Sequence, residues 1–229
     1  MIVTISRRSP AAWALFALVA GGCASGGRPV SGVQLAPGAG VIQPGSLSTA
    51  TRNFLASADS AARAFSPADV EFMSGMVPHH AQAVIMAGWA PSHGARADVQ
   101  RLCARIVAAQ SDEIRIMRNW LRERNQVVPD SNATRHVMRM NGMVHEMMMP
   151  GMLTDDEMAA LDKARGSEFD RLFLQGMIRH HGGAIDMVTD LLSHGNAGHD
   201  EMVFRFANDV VSDQTAEIQL MQRMLETVP

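Results

Sequence analysis

Tyrosine is absent from the chain, and aromatic residues make up only 5% of it. Cysteine is nearly absent as well, with Cys23 and Cys103 alone. If Cys23 is used near the N-terminus, Cys103 is a lone thiol and no intrachain disulfide can form. Cys103 sits in an apolar helical pattern, which suits a small core residue better than a metal ligand. Basic residues form no stripe, and the net charge is -3 with a pI near 6.3. Such a chain offers no electrostatic footprint for nucleic acid. No nucleophile–base arrangement, phosphate loop or nucleotide signature is present, so no enzyme class declares itself. The apolar run Ala11 to Ala20 is too short to span a bilayer.

What is present is a 229-residue chain, 47% hydrophobic, enough for one sizeable core. Methionine is the outlier at 18 residues, eight of them between Met138 and Met158. A single Met is usually a gap-filler. Eight in one short, polar-flanked segment are more than packing alone calls for.

The N-terminus reads as an export signal over residues 1–23. Arg7 and Arg8 precede an apolar stretch holding Trp13, Leu15, Phe16, Leu18 and Val19. Ala20-Gly21-Gly22-Cys23 then resembles a bacterial lipobox, with Ala20 where Leu is usual. Cys23 is the expected lipidation site. Simple cleaved export and an uncleaved anchor are the alternatives. Ser6-Arg7-Arg8 hints at a twin-arginine signal, which Pro10 and Ala11 fit poorly. Residues 24–65 are rich in Gly, Ser, Pro and Ala and read as a flexible spacer.

An eighteen-residue pattern then occurs twice. Asp69, Phe72, Gly75, Met76, His79, His80, Ala83 and Met86 recur 101 residues later as Asp170, Phe173, Gly176, Met177, His180, His181, Ala184 and Met187. A second repeat follows each: Gln110, Glu113, Ile114 and Met117 return as Gln214, Glu217, Ile218 and Met221. A long-period repeat fixes the architecture before any local reading. Four long helices are expected, at about 67–92, 97–124, 154–193 with a break near Gly166, and 199–227. Ser66-Pro67 opens the first, Thr154 with Glu157 caps the third, and His93-Gly94 and His194-Gly195 are stop signals. With no strand pattern, the expected fold is all-α: a four-helix bundle over 66–229, from hairpins 66–128 and 154–228 and a Met-rich connector 135–153.

On a helical wheel Phe72, Met76, His79, His80, Ala83, Met86 and Ala87 share a stripe of core-facing width. Met76 precedes the histidines by three and four residues, the spacings at which helical side chains meet. Met177, His180 and His181 repeat this. Imidazole with thioether suits soft or borderline transition metals, copper above all. The candidate metal set is therefore Met76, His79, His80, Met86, Met177, His180, His181 and Met187. Gln110, Glu113, Met117, Gln214, Glu217 and Met221 are candidates to orient the imidazoles or to join the ligands. Pro78 should kink the first motif helix; Arg179 replaces it in the second, so the two halves need not be equivalent. Met138, Met140, Met143, His145, Met147, Met148, Met149 and Met152 form a candidate second site suited to Cu(I), the alternative being a flexible hydrophobic cover.

The paired M-x-x-H-H-x-x-A-x-x-M motifs, each followed by Q-x-x-E-I-x-x-M, resemble the exported bacterial domain-of-unknown-function 305 family. Met149-Pro-Gly-Met152-Leu-Thr-Asp-Asp-Glu-Met158, running into Phe169-Asp-Arg-Leu-Phe173, is similar to it too. The resemblance covers about residues 66–227. It implies a ferritin-like four-helix bundle, with some relatives being periplasmic copper-binding proteins. The leading expectation is a non-enzymatic, exported protein that sequesters or buffers copper, Cu(I) ahead of Cu(II), held at the membrane only by a lipid anchor. A ferritin-like oxidoreductase is the rival. Di-iron bundles place Glu three residues before His, where this chain has Met76 and Met177. A metal-free bundle binding an envelope partner is the third reading. Homo-oligomerisation is left open.

Overall fold

The computed structural model of the chain describes residues 65–140, 143–193 and 200–229. The expected signal peptide, Cys23 and most of the spacer lie outside the described residues, as does the second stop at His194-Gly195. Helix α1 spans Pro67–Gly88, α2 Ala97–Glu123, α3 Asp155–Lys163, α4 Ser167–Ser193 and α5 Glu201–Leu225. Strands β1 (His136–Met140) and β2 (Met143–Met147) lie in the connector.

The ends of these helices follow from their caps. The Ser66 side chain accepts from the Asp69 N–H (3.1 Å), and the Asp69 carboxylate accepts from the Ser66 N–H (2.8 Å). The repeated Asp170 has a different task. It accepts from the Arg96 N–H at the start of α2 (3.3 Å), so one motif position caps its own helix and then a neighbour. Thr154 and Glu157 form the expected capping box. The expected break is real: α3 and α4 are separate helices, and Gly166, at φ 59°, donates its N–H to the His93 carbonyl (2.9 Å). α1 ends at Gly88 and is followed by turns up to Gly94, at φ 69°. Asp200 caps α5 and pairs with Arg124 at the end of α2 (2.6 Å).

The pairs α1–α2 and α4–α5 form two hairpins, and α1 meets α4 between them. The result is a four-helix bundle with α3 as an extra short helix. Its core falls into two apolar clusters. One joins the C-terminal half of α1 to the N-terminal half of α4, with Met86, Ile106, Phe173, Met177 and Met221. The other holds Phe72, Met76, Met117, Met187 and Val210. The sequence repeat exchanges them: Met76 and Met177 lie in opposite clusters, as do Met86 and Met187. That is an approximate two-fold relation between the hairpins, and the histidines fall where the clusters meet.

The expectation of no strands is corrected by the connector. β1 and β2 pair antiparallel, with His136 opposite Met147 and Met138 opposite His145. Val137, Met143, Val144 and Met147 of this hairpin are exposed. Pro78 does not end α1, which runs on for ten residues beyond it. Its missing N–H would strand the Ser74 carbonyl, and the His136 imidazole bonds to that carbonyl instead.

Candidate metal centre

All four motif histidines are fully buried. His79 and His180 meet at the α1–α4 interface, with ring centroids 3.8 Å apart and planes at 36°. His80 turns toward α2, where its Nε2 lies 2.8 Å from Glu113 Oε2 without in-line hydrogen-bond geometry. His181 turns toward α5 and hydrogen-bonds Glu217 Oε2 at 2.7 Å. His180 Nε2 donates to the His79 carbonyl (3.0 Å), and His79 Nε2 to the Pro150 carbonyl (3.1 Å).

These partners fix the tautomers. A carbonyl or carboxylate oxygen only accepts, so the Nε2 atoms of His79, His180 and His181 carry a proton, while His80 Nε2 has no hydrogen bond to fix it. In neutral His79 and His180 the lone pair is then on Nδ1. None of the four Nδ1 atoms has a hydrogen-bond partner, although all are buried. Buried polar atoms are normally satisfied, so four orphans in one layer call for an explanation. Met76 and Met177, three residues before each pair, are fully buried with them. Among the described residues, no group of three His, Cys, Asp or Glu side chains stands ready to hold a metal ion.

Burial, reinforced by the neighbouring imidazoles, holds His79 and His180 well below the ordinary histidine range, so both are neutral at pH 7. The unfolded chain binds protons below about pH 6.5 that these native rings refuse. Stability is therefore complete above that value and is lost as pH falls below it. The expected slope approaches about 2.7 kcal/mol per pH unit, from two protons taken up on unfolding. Urea unfolding at a series of pH values from 7.5 to 5 reads it directly. A profile with no downward slope would contradict the neutral pair.

The other candidates take distinct positions. Met86 and Met187 cross to the opposite motif: the Met86 methyl lies over Gly176 and the Met187 methyl over Gly75. Met117 and Met221 are fully buried, one in each cluster. Gln110, Glu113, Gln214 and Glu217 line a cleft of about 300 Å³ between α2 and α5, together with Asp213. Burial and the facing Glu113, Asp209 and Glu217 raise the Asp213 carboxyl above its ordinary value. Cys103 lies in the core, and burial with nearby Asp170 pushes its thiol up to about 12. A thiol so disposed is packing rather than ligand.

The connector's candidate set divides. Met138, Met143, His145 and Met147 belong to the hairpin, as does Met140 by register, whereas Met149 and Met152 belong to a strap across α1 and α4; Met148 lies between the two. The strap corresponds to the expected alternative of a cover over the bundle, but it is anchored by hydrogen bonds rather than by apolar contact alone. Gln82 holds it twice, donating to the Leu153 carbonyl and accepting from the Leu153 N–H, both at 2.8 Å. Met149 nests on Gly75 and Leu153 on Gly176. The Gly151 backbone, at φ 76°, lies directly on Gly183. The Met152 sulfur accepts from the Met149 N–H (3.3 Å).

A helical bundle with a buried histidine layer between two methionine-containing apolar clusters defines the class of protein. The family is equally plain. A profile described as "Domain of unknown function (DUF305)" matches residues 69–225, and the chain belongs to that family. A DUF305 protein of Streptomyces coelicolor, described in terms of secretion, is 31% identical, with a TM-score of 0.58 over 69% of this chain and 92% of its own. A DUF305 fragment from Deinococcus radiodurans is 28% identical, with a TM-score of 0.58 over 71% and 97%. CopM in its Cu(I)-bound form is 26% identical, with a TM-score of 0.50 over 69% and 95%. CopM is also solved with silver and with Cu(II). No curated protein matches the chain in sequence.

Proposed function

We propose that this chain is an exported, non-enzymatic protein that sequesters or buffers copper in the cell envelope. One observation carries the reading: the four buried Nδ1 atoms of the motif histidines lack partners in one layer, with a buried methionine of each motif in the apolar cluster on either side. Copper is the cargo, and the donors named for it are Nδ1 of His79, His180 and His181, a ring nitrogen of His80, and Sδ of Met76 and Met177. Neutral imidazoles such as His79 and His180 need lose no proton to bind, and thioether with imidazole suits Cu(I). The likeness to CopM, solved with Cu(I), Cu(II) and silver, supports copper as the metal. Export is supported by the signal-like N-terminus and by the Streptomyces relative. No helix among the described residues is long and apolar enough to cross a membrane. Attachment through a lipid on Cys23 belongs to this proposal.

A ferritin-like oxidoreductase is the second reading, favoured by the carboxylates of Glu113 and Glu217 against His80 and His181. Metal analysis of protein from copper-supplemented cells, followed by titration against a Cu(I) chelator, separates the two. Bound copper that the chelator removes, without oxidase turnover, is the expected result. Two irons per chain, or no metal at all, would overturn it.

A further inference from the structure

Resting on the copper reading, we propose that the α2/α5 cleft is the passage by which the cation reaches and leaves the imidazole layer. Among the described residues, core and strap cover the layer's other sides. Above and below it stand the two apolar clusters. On the α1–α4 side the strap is bonded to His79 and Gln82 and rests on Gly183. Between α2 and α5 a solvent-open cavity, about 300 Å³, comes up against Glu113 and Glu217, the side chains that touch His80 and His181, whereas the larger cavity beside the strap meets the layer only through the Pro150 backbone bonded to His79.

The lining has the chemistry of a conduit. Glu113 and Glu217 stand at its floor, each against a motif imidazole and each partly exposed to solvent. Asp213 adds a third carboxylate, against the single cation Arg105 in the lining. Gln110 and Gln214 also line it; both side chains are more than nine-tenths buried, and neither amide oxygen has a hydrogen-bond partner. Acidic walls beside a low-dielectric interior raise the local cation concentration. Oxygen donors hold a soft cation weakly, so they pass it to nitrogen and sulfur rather than trap it. The two hairpins differ here, since Asp213 stands where the first repeat has Ala109.

The test is the kinetics of Ag(I) loading and release in the full chain, by stopped flow against a chromophoric chelator, beside equilibrium affinity. Ala109→Phe plugs the cleft from an exposed position. It should slow association and dissociation equally, by about tenfold, and leave the affinity unchanged. Asp213→Asn should slow association by about threefold and flatten its salt dependence. Gln82→Ala, which loosens the strap, should leave both rates alone. Wild-type rates in the plugged protein, a wild-type salt dependence in Asp213→Asn, or faster loading after Gln82→Ala would each overturn the passage while the copper reading stands. A wild-type protein that takes up no Ag(I) or Cu(I) would remove both.

Discussion

Replacing Met76 and Met177 together by leucine is expected to leave the fold in place and to weaken Cu(I) binding. The loss should be at least the roughly 10- to 100-fold that follows when a group merely orienting a metal ligand is removed. Both side chains are fully buried, one in each apolar cluster, so their packing role must be separated from coordination. Leucine makes that separation because it nearly conserves volume and apolarity, at a cost usually below about 1.5 kcal/mol. The unfolding midpoint should therefore move little while chelator competition shifts strongly. Changing both to glutamate should instead create the Glu-x-x-His spacing of di-iron bundles and turn preference toward iron. Wild-type Cu(I) affinity in the folded leucine pair would mean that these methionines are core. The histidines or the connector methionines would then carry the copper.

The repeat made the bundle legible. It gave the hairpins, the shared burial of the histidines and the meeting of Glu113 and Glu217 with His80 and His181. Periodicity reports which side chains share a face, and these contacts depend on little else. The connector was not legible in the same way, because its contacts are made by backbone groups. Pro150 O bonds to His79, and both backbone groups of Leu153 bond to Gln82. No composition or period announces those. A signal did exist in the differences between the two copies. Pro78, Gln82 and Gly183 stand where the other copy has Arg179, Gly183 and Gln82, and each is a place where the connector lands on the bundle. The strands were overlooked for a simpler reason. Asn141-Gly142 is the dipeptide favoured in two-residue hairpin turns, but the methionines around it lack the β-branched alternation by which strands are recognised.

The adjacent glycines of α4 should respond to the same substitution with opposite signs. Gly182 faces open space: a Cβ there would meet nothing within 4 Å. Gly182→Ala should stabilise the protein by up to about 1 kcal/mol, the gain in helix propensity. A Cβ on Gly183 would instead run into the Pro150 carbonyl and lie 2.7 Å from the Gly151 Cα. Both obstacles are backbone, so no rotamer change relieves them. The strap must lift, and with it goes the bond from His79 to Pro150 that fixes the His79 tautomer. Overpacking costs about 1–3 kcal/mol, and leaving the buried imidazole N–H without its acceptor costs about 1–3 kcal/mol more. Set against the same propensity gain, Gly183→Ala should lose about 1–5 kcal/mol. Paired denaturant melts read the contrast, and hydrogen exchange at the Leu153 amide, which is bonded to Gln82, reports on the strap itself. Equal stabilities in the two variants would mean that the strap does not bear on the bundle as described. A destabilised Gly183→Ala with Leu153 still protected would place the strain within α4 rather than in the strap.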